Sequence, residues 1–360
     1  MSVEPGAGRG ETFRISRKVR TLLVAAFLGV ATAAVLALIP LPYAILSPGP
    51  AINVLGDGSD GKPLIEVSGA RRYAAGGALD FTTVSVRGGP GNRVNVWDVL
   101  DAWLRPATEV FDEVVFFPKG VTKDEVKQEN TAEMTGSQQE AIAVALRSIG
   151  AEVTERYVVA SVAGDAPAKD VLKVGDRIVA IDGTEVATLA DIQRIVRAHQ
   201  PGDRLALDLI RSGARTAVSA VTTSASGRTV LGITVGTDFQ FPYQVTIHAG
   251  NVGGPSAGLM FSLAVRDVLT PGDLTGGKRI AGTGTIDAEG VVGPIGGIRQ
   301  KLVGARAAGA QYFLAPAANC PELVDADPDV TVVKVATFAE ALAGVEAIAA
   351  GKGSGLPSCS

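Results

Sequence analysis

The sequence predicts a mixed α/β protein with one apolar helix near its N-terminus. Three observations lead to this fold class. The run Thr21–Ile39 has 19 uncharged residues, which is long enough for a membrane helix. Alternating apolar runs such as Phe81–Val86 predict strands. Amphipathic stretches such as residues 131–149 predict helices between the strands, an alternation typical of α/β folds.

Composition excludes several classes of protein. The 360 residues are 46% hydrophobic and 19% charged, so the chain can build a core and is not disordered. A net charge of −4 argues against nucleic-acid binding, which needs a basic surface. Two cysteines, Cys320 and Cys359, are too few for a disulfide scaffold, and the sequence leaves their pairing open. No Cys/His cluster indicates a metal site.

The N-terminal run is predicted to be a retained, single-pass anchor. Residues 1–20 carry a net charge of +3 and are expected to form a cytoplasmic basic tail, followed by a transmembrane helix at residues 21–42. Because basic flanks stay on the cytoplasmic side, the rest of the chain is expected outside the cytoplasm. A cleaved signal peptide is the alternative, since the run is rich in alanine. The run is longer than a usual signal core, which favours the anchor.

Local patterns divide the rest of the chain. The turn-rich residues 43–63 are predicted to be a linker. Residues 64–150 hold predicted strands and then the helix 131–149, which Gly150 ends. Residues 351–360 are predicted to be a flexible tail. Further helices are expected to start near Ser256, Ile298 and Thr337.

Residues 157–223 combine short strands with one amphipathic helix. The stretches APAKDVLKVGDRIVAIDG, from Ala166 to Gly183, and PGDRLALDLIRSG, from Pro201 to Gly213, resemble PDZ domains. On this resemblance, residues 151–226 are expected to form a PDZ domain with a β-barrel-like fold. The resemblance implies a site that binds peptides by adding a strand to a sheet edge. The expected carboxylate-binding loop is matched only weakly, by Ile149–Ala151.

The segment Gly254–Gly258, GPSAG, fits the GxSxG pattern of a serine nucleophile. No histidine follows Ser256, and the two histidines of the chain, His199 and His248, lie before it. If Ser256 is a nucleophile, its base must therefore be another group. A lysine can serve where burial lowers its pKa from about 10.4 towards neutrality. Lys301 is the strongest candidate, because it lies in a predicted helix of small apolar residues, GGIRQKLVGARAAGA.

Three stretches resemble the proteolytic domain of Lon proteases, a family of Ser-Lys peptidases: VGGPSAGLMFSLAV, IAGTGTIDAEGVVGPIGGIRQKLVGARAAGA and FLAPAANCPEL. The resemblance covers residues 228–346 and implies Ser256 as the nucleophile and Lys301 as the general base. It implies Thr283 as the residue that orients the lysine amine. The loop before the serine reads NVGG and departs from the ATP-dependent members, which carry lysine-aspartate-glycine there.

The order of anchor, PDZ unit and Lon-like domain resembles the membrane-anchored PDZ–Lon proteins of bacteria. The resemblance implies that residues 227–350 form a Lon-type proteolytic domain with residues 64–150 as its N-terminal part. The PDZ unit is then an insertion. Gly272–Lys278 fits GxxxxGK, but Arg279 follows it instead of Ser or Thr, so nucleotide binding is not expected.

The expected function is that of an ATP-independent serine endopeptidase, anchored in the bacterial cell membrane with its catalytic part extracytoplasmic. Its expected partners are polypeptide substrates, which the PDZ unit recognises, and the membrane; a homo-oligomer is left open. No cofactor, metal, nucleotide or nucleic acid is expected. Two alternatives remain. The protein is a non-proteolytic PDZ adaptor, or it is a processing protease dedicated to one partner.

Overall fold

The computed structural model describes residues 16–58, 61–250, 252–323 and 329–359. Its α-helices are α1 (Arg17–Leu38), α2 (Val96–Leu104), α3 (Lys123–Ser148), α4 (Leu189–Arg197), α5 (Gly258–Leu269), α6 (Ile298–Ala307) and α7 (Phe338–Ala349). Its strands are β1 (Tyr43–Asn53), β2 (Ile65–Ser68), β3 (Ala78–Arg87), β4 (Glu109–Asp112), β5 (Thr154–Val162), β6 (Arg177–Ile181), β7 (Thr184–Glu185), β8 (Arg204–Arg211), β9 (Ala214–Val221), β10 (Thr223–Ala225), β11 (Arg228–Val230), β12 (Ile233–Gln240), β13 (Gln244–Ile247), β14 (Arg279–Gly282), β15 (Thr285–Ile286), β16 (Val292–Gly293), β17 (Tyr312–Pro316) and β18 (Thr331–Val335). The fold is mixed α/β, as the alternation of patterns predicts.

Helix α1 is apolar along most of its length, and none of its residues is buried. Its 22 residues span about 33 Å, enough to cross a bilayer. Ser16 caps the start by accepting a hydrogen bond from the Val19 N–H. Pro40 disfavours a helical conformation at Ile39, so the helix ends at Leu38. Within the described ranges, α1 alone has the length and hydropathy of a membrane span, a test that signal sequences also pass.

The helix is shifted towards the N-terminus relative to its prediction. Residues 21–42 are the predicted span, whereas the helix runs from Arg17 to Leu38. Three basic residues extend it at the start: Arg17, Lys18 and Arg20. The remainder of the predicted basic tail, residues 1–15, lies outside the described residues.

The larger part of the protein is built on a mixed six-stranded sheet, in the order β18-β17-β14-β3-β1-β4. β14 runs parallel to β3 and β17, whereas β1 is antiparallel to β3 and β4. Alternate residues of β17 face opposite sides of the sheet. Phe313 and Ala315 pack with α6, and Leu314 packs with α3, α5 and α7. Helices therefore cover both faces, and we refer to this part as the α/β unit.

Strand β1 corrects the prediction of a linker at residues 43–63. Tyr43–Asn53 form an 11-residue strand between β3 and β4. Pro48 and Pro50 are typical of turns, so the sequence does not indicate a strand here. In the structure, the register of β1 with β3 shifts between Pro48 and Ala51. Because proline has no N–H to donate, the ladder is interrupted there while the strand continues.

The second sheet has the order β12-β5-β6-β8-β9, with β7 paired to β6. Together with α4 it encloses a separate apolar core that includes Val159, Ile192 and Leu207. β12 lies beyond residue 226, the predicted end of this unit, yet it pairs with β5 along its whole length. The sheet thus takes an edge strand from the segment that leads into β13.

One apolar core contains residues that precede the second sheet in the sequence and residues that follow it. Leu79, Met134 and Leu146 precede β5, and they pack in the same cluster as Phe261 and Leu314, which follow β12. The α/β unit is therefore discontinuous in sequence, and the second sheet lies between its two parts.

The C-terminal residues pack against the α/β unit, which corrects the prediction of a flexible tail at 351–360. The Lys334 N–H donates to the Pro357 carbonyl at 2.8 Å. A disulfide joins Cys320 and Cys359. These contacts connect segments that are distant in the chain, so the composition of the tail gives no sign of them.

Candidate active site

Ser256 lies in a tight turn between β13 and α5. The helix begins at Gly258, two residues after the serine. Gly254 has a φ of +84°, a conformation that glycine adopts freely and other residues rarely adopt. Its N–H donates to a carbonyl of α3, and the Ser137 hydroxyl of α3 donates to the Pro255 carbonyl at 2.8 Å. Helix α3 therefore fixes the turn on both sides of Pro255.

The second glycine of the GxSxG pattern has a packing role. A Cβ at Gly258 would lie 2.7 Å from the Ser137 hydroxyl and 2.9 Å from a methyl group of Ile286. Both distances are far below ordinary non-bonded contact, so α5 can pack this closely only with glycine here. Backbone geometry thus explains the glycines of the pattern, whatever Ser256 does.

Lys301 reaches Ser256 from α6. It is 2% exposed, and its Nζ lies 2.7 Å from the Ser256 Oγ. Gly297, with a φ of +70°, turns the chain into this helix one turn before the lysine. The other lysines between Ser256 and the C-terminal segment, Lys278 and Lys334, are exposed. Burial therefore distinguishes Lys301 from them.

Thr283 connects the lysine to the main chain of the serine. It follows β14 directly and is fully buried. Its Oγ1 accepts a hydrogen bond from the Lys301 amine at 3.0 Å and donates to the Ser256 carbonyl at 2.9 Å. The Gly284 N–H donates to the same carbonyl at 2.9 Å. The structure thus brings the three sequence-predicted site residues into one hydrogen-bonded group.

Burial also sets the charge of the Lys301 amine. Desolvation disfavours the ammonium form and lowers the pKa of Lys301 to about 7. No carboxylate in the described part of the chain offsets this with an ion pair. At neutral pH about half of the molecules therefore hold a neutral amine that can accept a proton.

Two main-chain N–H groups lie near the Ser256 hydroxyl. The N–H groups of Ser256 and Ala257 make no hydrogen bond to any described residue. They precede the first turn of α5, where free N–H groups and the helix dipole favour a negative charge. This arrangement can hold an oxyanion next to the Ser256 hydroxyl.

A cleft of about 1110 Å³ opens beside Ser256 and Lys301. Most of its apolar lining comes from β1, β3, β4 and the turn after β4: Leu46, Val84, Val86, Phe111, Val115 and Phe116. The volume exceeds that of most small-molecule pockets, and the mixed apolar and polar lining suits a segment of polypeptide.

Gln300 is a site residue that no sequence motif points to. It lines the cleft next to Lys301, is 1% exposed, and its Nε2 has no hydrogen-bond partner among the residues that the structure describes. A buried donor without a partner costs free energy. A molecule bound in the cleft can supply the missing acceptor. Its place beside Lys301 is the one sequence signal that could have indicated it.

The two histidines lie away from the cleft. His248 is about half exposed and faces Glu66 at 3.4 Å. His199 follows α4, the helix that packs on the second sheet, and faces Asp182 at 3.2 Å. Among the described residues, no His, Cys, Asp or Glu side chains cluster as a metal site requires. Gly272–Lys278 leads into strand β14, whereas a phosphate-binding loop leads into a helix. In the NVGG loop, the asparagine lies outside the described residues.

The second sheet matches a known family. A family model described as a PDZ domain matches residues 133–222. This chain contains a PDZ domain. The match begins within α3, while the strand pairing of the PDZ sheet extends to β12, so the structural unit and the matched range differ at both ends.

Curated relatives of this chain include proteins named Lon protease. One from Roseiflexus castenholzii is 36% identical over 120 residues, which are 32% of this chain and 14% of that protein. Another from Phenylobacterium zucineum is 36% identical over 137 residues, which are 36% of this chain and 17% of that protein. The matched part therefore spans less than a fifth of the length of these relatives.

Two of the solved structures that match parts of this chain come from bacteria. The PDZ domain of an SdrC-like protein from Listeria monocytogenes is 27% identical, and the match covers 22% of this chain and 85% of that chain with a TM-score of 0.21. A solution structure from Geobacillus thermodenitrificans is 35% identical, and the match covers 21% of this chain and 92% of that chain with a TM-score of 0.20.

The PDZ domain has an open sheet edge at β12. This strand ends the sheet order, and its outer edge pairs with no described strand. Gly232, with a φ of +70°, turns the chain into β12, and Leu231 before it is buried in the PDZ core. Ile149 and Ala151, the weak candidates for a carboxylate-binding loop, instead pack against the core of the α/β unit. They lie near the far end of β12, where Gln240 pairs with Thr154.

Proposed function

We propose that this protein is an ATP-independent, membrane-anchored serine endopeptidase of the Lon-like Ser-Lys type, which cleaves polypeptides outside the cytoplasm. The observation that carries the proposal is the buried Lys301 amine, 2.7 Å from the Ser256 Oγ, with its pKa lowered to about 7. Burying an amine without a counter-ion costs stability, and strongly shifted pKa values cluster at functional sites. The names of the curated relatives support a protease role.

In the proposed reaction, neutral Lys301 accepts the hydroxyl proton of Ser256 while the Oγ attacks the scissile carbonyl carbon. The carbonyl oxygen becomes negative and accepts hydrogen bonds from the N–H groups of Ser256 and Ala257. The Lys301 ammonium then donates its proton to the leaving nitrogen, and the C–N bond breaks. Lys301 next deprotonates a water molecule, which attacks the acyl carbon. The ester C–O bond breaks, and the Lys301 ammonium returns its proton to the Ser256 Oγ, which restores the free enzyme.

Two neighbours of the dyad have positioning roles in this proposal. Thr283 holds the Lys301 amine and the Ser256 carbonyl at once, so it fixes the distance between base and nucleophile. Gln300 donates its free Nε2 to a carbonyl of the substrate, which satisfies the buried amide only when a polypeptide is bound.

The PDZ domain is proposed to select polypeptides at the edge of β12. PDZ domains bind peptides as an added strand, and β12 offers unpaired main-chain groups next to the Gly232 turn. Hydrogen exchange can test this with C-terminal peptides of proteins that the Ser256→Ala variant retains. The amides of β12 should exchange more slowly with peptide, while those of β9, at the other edge of the sheet, should not change. Equal slowing at both edges would contradict this placement.

The proposed location rests on α1 and on the disulfide. The basic residues at the start of α1 favour a cytoplasmic N-terminus, which puts the α/β unit on the opposite side of the membrane. The Cys320–Cys359 disulfide agrees with an oxidising compartment. Protease added to intact spheroplasts should therefore digest residues 60–360. Protection of this region would refute the topology, and a mature N-terminus near residue 45 would make α1 a signal peptide.

The catalytic proposal is tested with the full chain in lipid nanodiscs and a labelled unfolded polypeptide. We expect fragments without ATP, none from Ser256→Ala, and normal amounts from Ser161→Ala, which changes an exposed serine of the PDZ domain. Cleavage that survives Ser256→Ala, or no cleavage by the wild type, would refute the proposal, and the latter would favour the adaptor. Accumulation of a single uncut protein in Ser256→Ala cells would indicate a dedicated processing protease.

A further inference from the structure

Helix α2 exposes an apolar face that the fold does not use. Val99 and Ala102 bury one side of this helix against β1. A different side carries large apolar residues that remain open to solvent, with exposed fractions of 44% for Trp97, 41% for Leu100, 73% for Trp103 and 84% for Leu104. At 3.6 residues per turn these four side chains fall within an arc of about 120°. Helix α2 therefore has two apolar faces, of which one packs against β1 and the other is exposed to solvent.

The charged residues of α2 lie outside this arc. Asp98 caps the start of the helix and pairs with Arg87 at 2.6 Å. Asp101 pairs with Arg105, one turn later, at 2.8 Å. The apolar arc is therefore free of charge, and charges border it. A helix with an apolar face of this kind can lie in the interface of a bilayer, with that face towards the acyl chains.

At one end of its exposed apolar face, α2 contacts α1 through Trp97. The Trp97 indole N–H donates to the Ala33 carbonyl of α1 at 3.0 Å. Ala33 lies five residues before the end of α1, which is about 7.5 Å along the helix axis. If α1 crosses a bilayer, this contact places the Trp97 indole about 7.5 Å below the end of the span, within the layer of about 5–10 Å that the apolar faces of interfacial helices occupy. Tryptophan is enriched at that depth, because its ring is apolar and its N–H is polar.

Another exposed apolar group has a different explanation. Val115 and Phe116 follow β4 and line the cleft beside Ser256. A polypeptide in that cleft accounts for them, whereas the outward face of α2 does not line the cleft.

We propose that α2 docks in the interfacial layer of the membrane that α1 spans, with Trp97 and Trp103 against the outer part of the acyl chains. The proposal rests on the proposed role of α1 as a retained anchor. A lipid surface is the occupant that continuity with α1 favours, since lipid that surrounds α1 at Ala33 also meets the adjoining face of α2. Because β1 follows α1 directly and supplies Leu46 to the cleft, this second attachment fixes the height of the cleft above the bilayer.

Tryptophan fluorescence can test this proposal directly, because the chain has two tryptophans and both lie in α2. The probe is the full chain in phosphatidylcholine nanodiscs, with lipids that carry bromine at a shallow or a deep position of the acyl chain. The decisive variant is Trp97→Phe, which leaves Trp103 as the sole tryptophan, excited selectively over the five tyrosines. We expect blue-shifted emission, stronger quenching by shallow than by deep bromine, and weak quenching by acrylamide.

Two further variants calibrate the result. Leu104→Ser should reduce the bromine quenching of Trp103 at least about twofold, because it removes an apolar side chain from the docked face. Val174→Ser is the matched control, since Val174 is 69% exposed on the PDZ domain, and it should leave the quenching unchanged.

Three outcomes would overturn the proposal. Trp103 that acrylamide quenches freely lies in water. Trp103 that is shielded from acrylamide but not quenched by bromine is covered by protein, either a second copy or a partner. Failure of the chain to elute with the nanodiscs refutes both the anchor and the docking of α2. Loss of the proposed peptidase activity with Trp103 still quenched would refute the catalytic proposal alone.

Discussion

Two buried charged residues, Asp176 in the PDZ domain and Lys301 in the α/β unit, have opposite surroundings. In the PDZ domain, Asp176 is fully buried and accepts two hydrogen bonds from the Arg211 guanidinium, which hold the pKa of its carboxyl below the usual value. In the α/β unit, Lys301 is buried beside two hydroxyls, and desolvation lowers its pKa to about 7. The paired charge stabilises a fold, whereas the unpaired amine is ready to exchange a proton near neutral pH.

The largest effect that this comparison predicts is that of Lys301→Arg. A guanidinium stays charged and cannot accept the proton of Ser256, so kcat/KM for polypeptide cleavage should fall at least about 1000-fold. Lys334→Arg, at an exposed position, should have no effect. The double variant Ser256→Ala/Lys301→Ala should lose no more activity than either single variant, because the pair acts as a unit. Substantial activity in Lys301→Arg would mean that another group is the base.

Asp176→Ala should have the opposite profile. Removing the carboxylate leaves the Arg211 guanidinium beside a buried cavity, so the free energy of unfolding of the PDZ domain should fall by about 2–4 kcal/mol. Cleavage of short peptides in the cleft should persist. This loss is measured by urea unfolding that is monitored through hydrogen exchange of the main-chain amides of β6 and β8. Asp208→Ala, at an exposed position on β8, is the control, and an equally small effect of Asp176→Ala would remove the structural role that we assign to the pair.

Thr283→Val should lower kcat about 10–100-fold with little change in KM, because the amine loses its orienting hydroxyl while the substrate cleft is retained. Thr283→Ser keeps the hydroxyl and should recover most of the activity. Comparison of the kcat and KM of both variants checks this. A change confined to KM would indicate that Thr283 contacts substrate and does not position the lysine.

Lys301→Met should stabilise the protein while it abolishes cleavage. The unfolded chain holds Lys301 with a pKa near 10.4 and the folded chain with a pKa of about 7, so the unfolded state binds more protons between these pH values. Wild-type stability should therefore rise with pH across this window and level off below pH 7. Lys301→Met removes the titrating amine, so this pH dependence should disappear. At pH 7 the free energy of unfolding of the variant should exceed that of the wild type by about 1–3 kcal/mol. A destabilised Lys301→Met protein would show that the amine is a structural group.

Local signals in the sequence predict where two of the helices of the α/β unit begin, one of which carries Lys301. The helix expected near Ile298 begins at that residue, and the helix expected near Thr337 begins at Phe338 after the Thr337 cap. The PDZ resemblance is confirmed by the family match. The roles of Ser256, Thr283 and Lys301 remain predictions, although the fold brings the three side chains together.

Features that depend on distant pairing could not be predicted. No local sequence pattern indicates that β12 belongs to the PDZ sheet, because its partner β5 lies about 70 residues earlier in the chain. The Cys320–Cys359 disulfide likewise depends on how the C-terminal segment packs, which a separation of 39 residues does not determine. Gln300 appears polar and ordinary in sequence, and its role emerges only from its burial and its free amide.

The most direct test of the account is the pH dependence of Ser256 phosphonylation by a fluorophosphonate in the full chain, in which the Oγ attacks phosphorus and fluoride leaves. If burial alone keeps Lys301 neutral, the phosphonylation rate should rise about tenfold per pH unit below neutrality and level off above an apparent pKa of about 7. A rate that is constant across this range, or that rises only near the free lysine pKa of about 10.4, would contradict the claim that a desolvated lysine activates the serine.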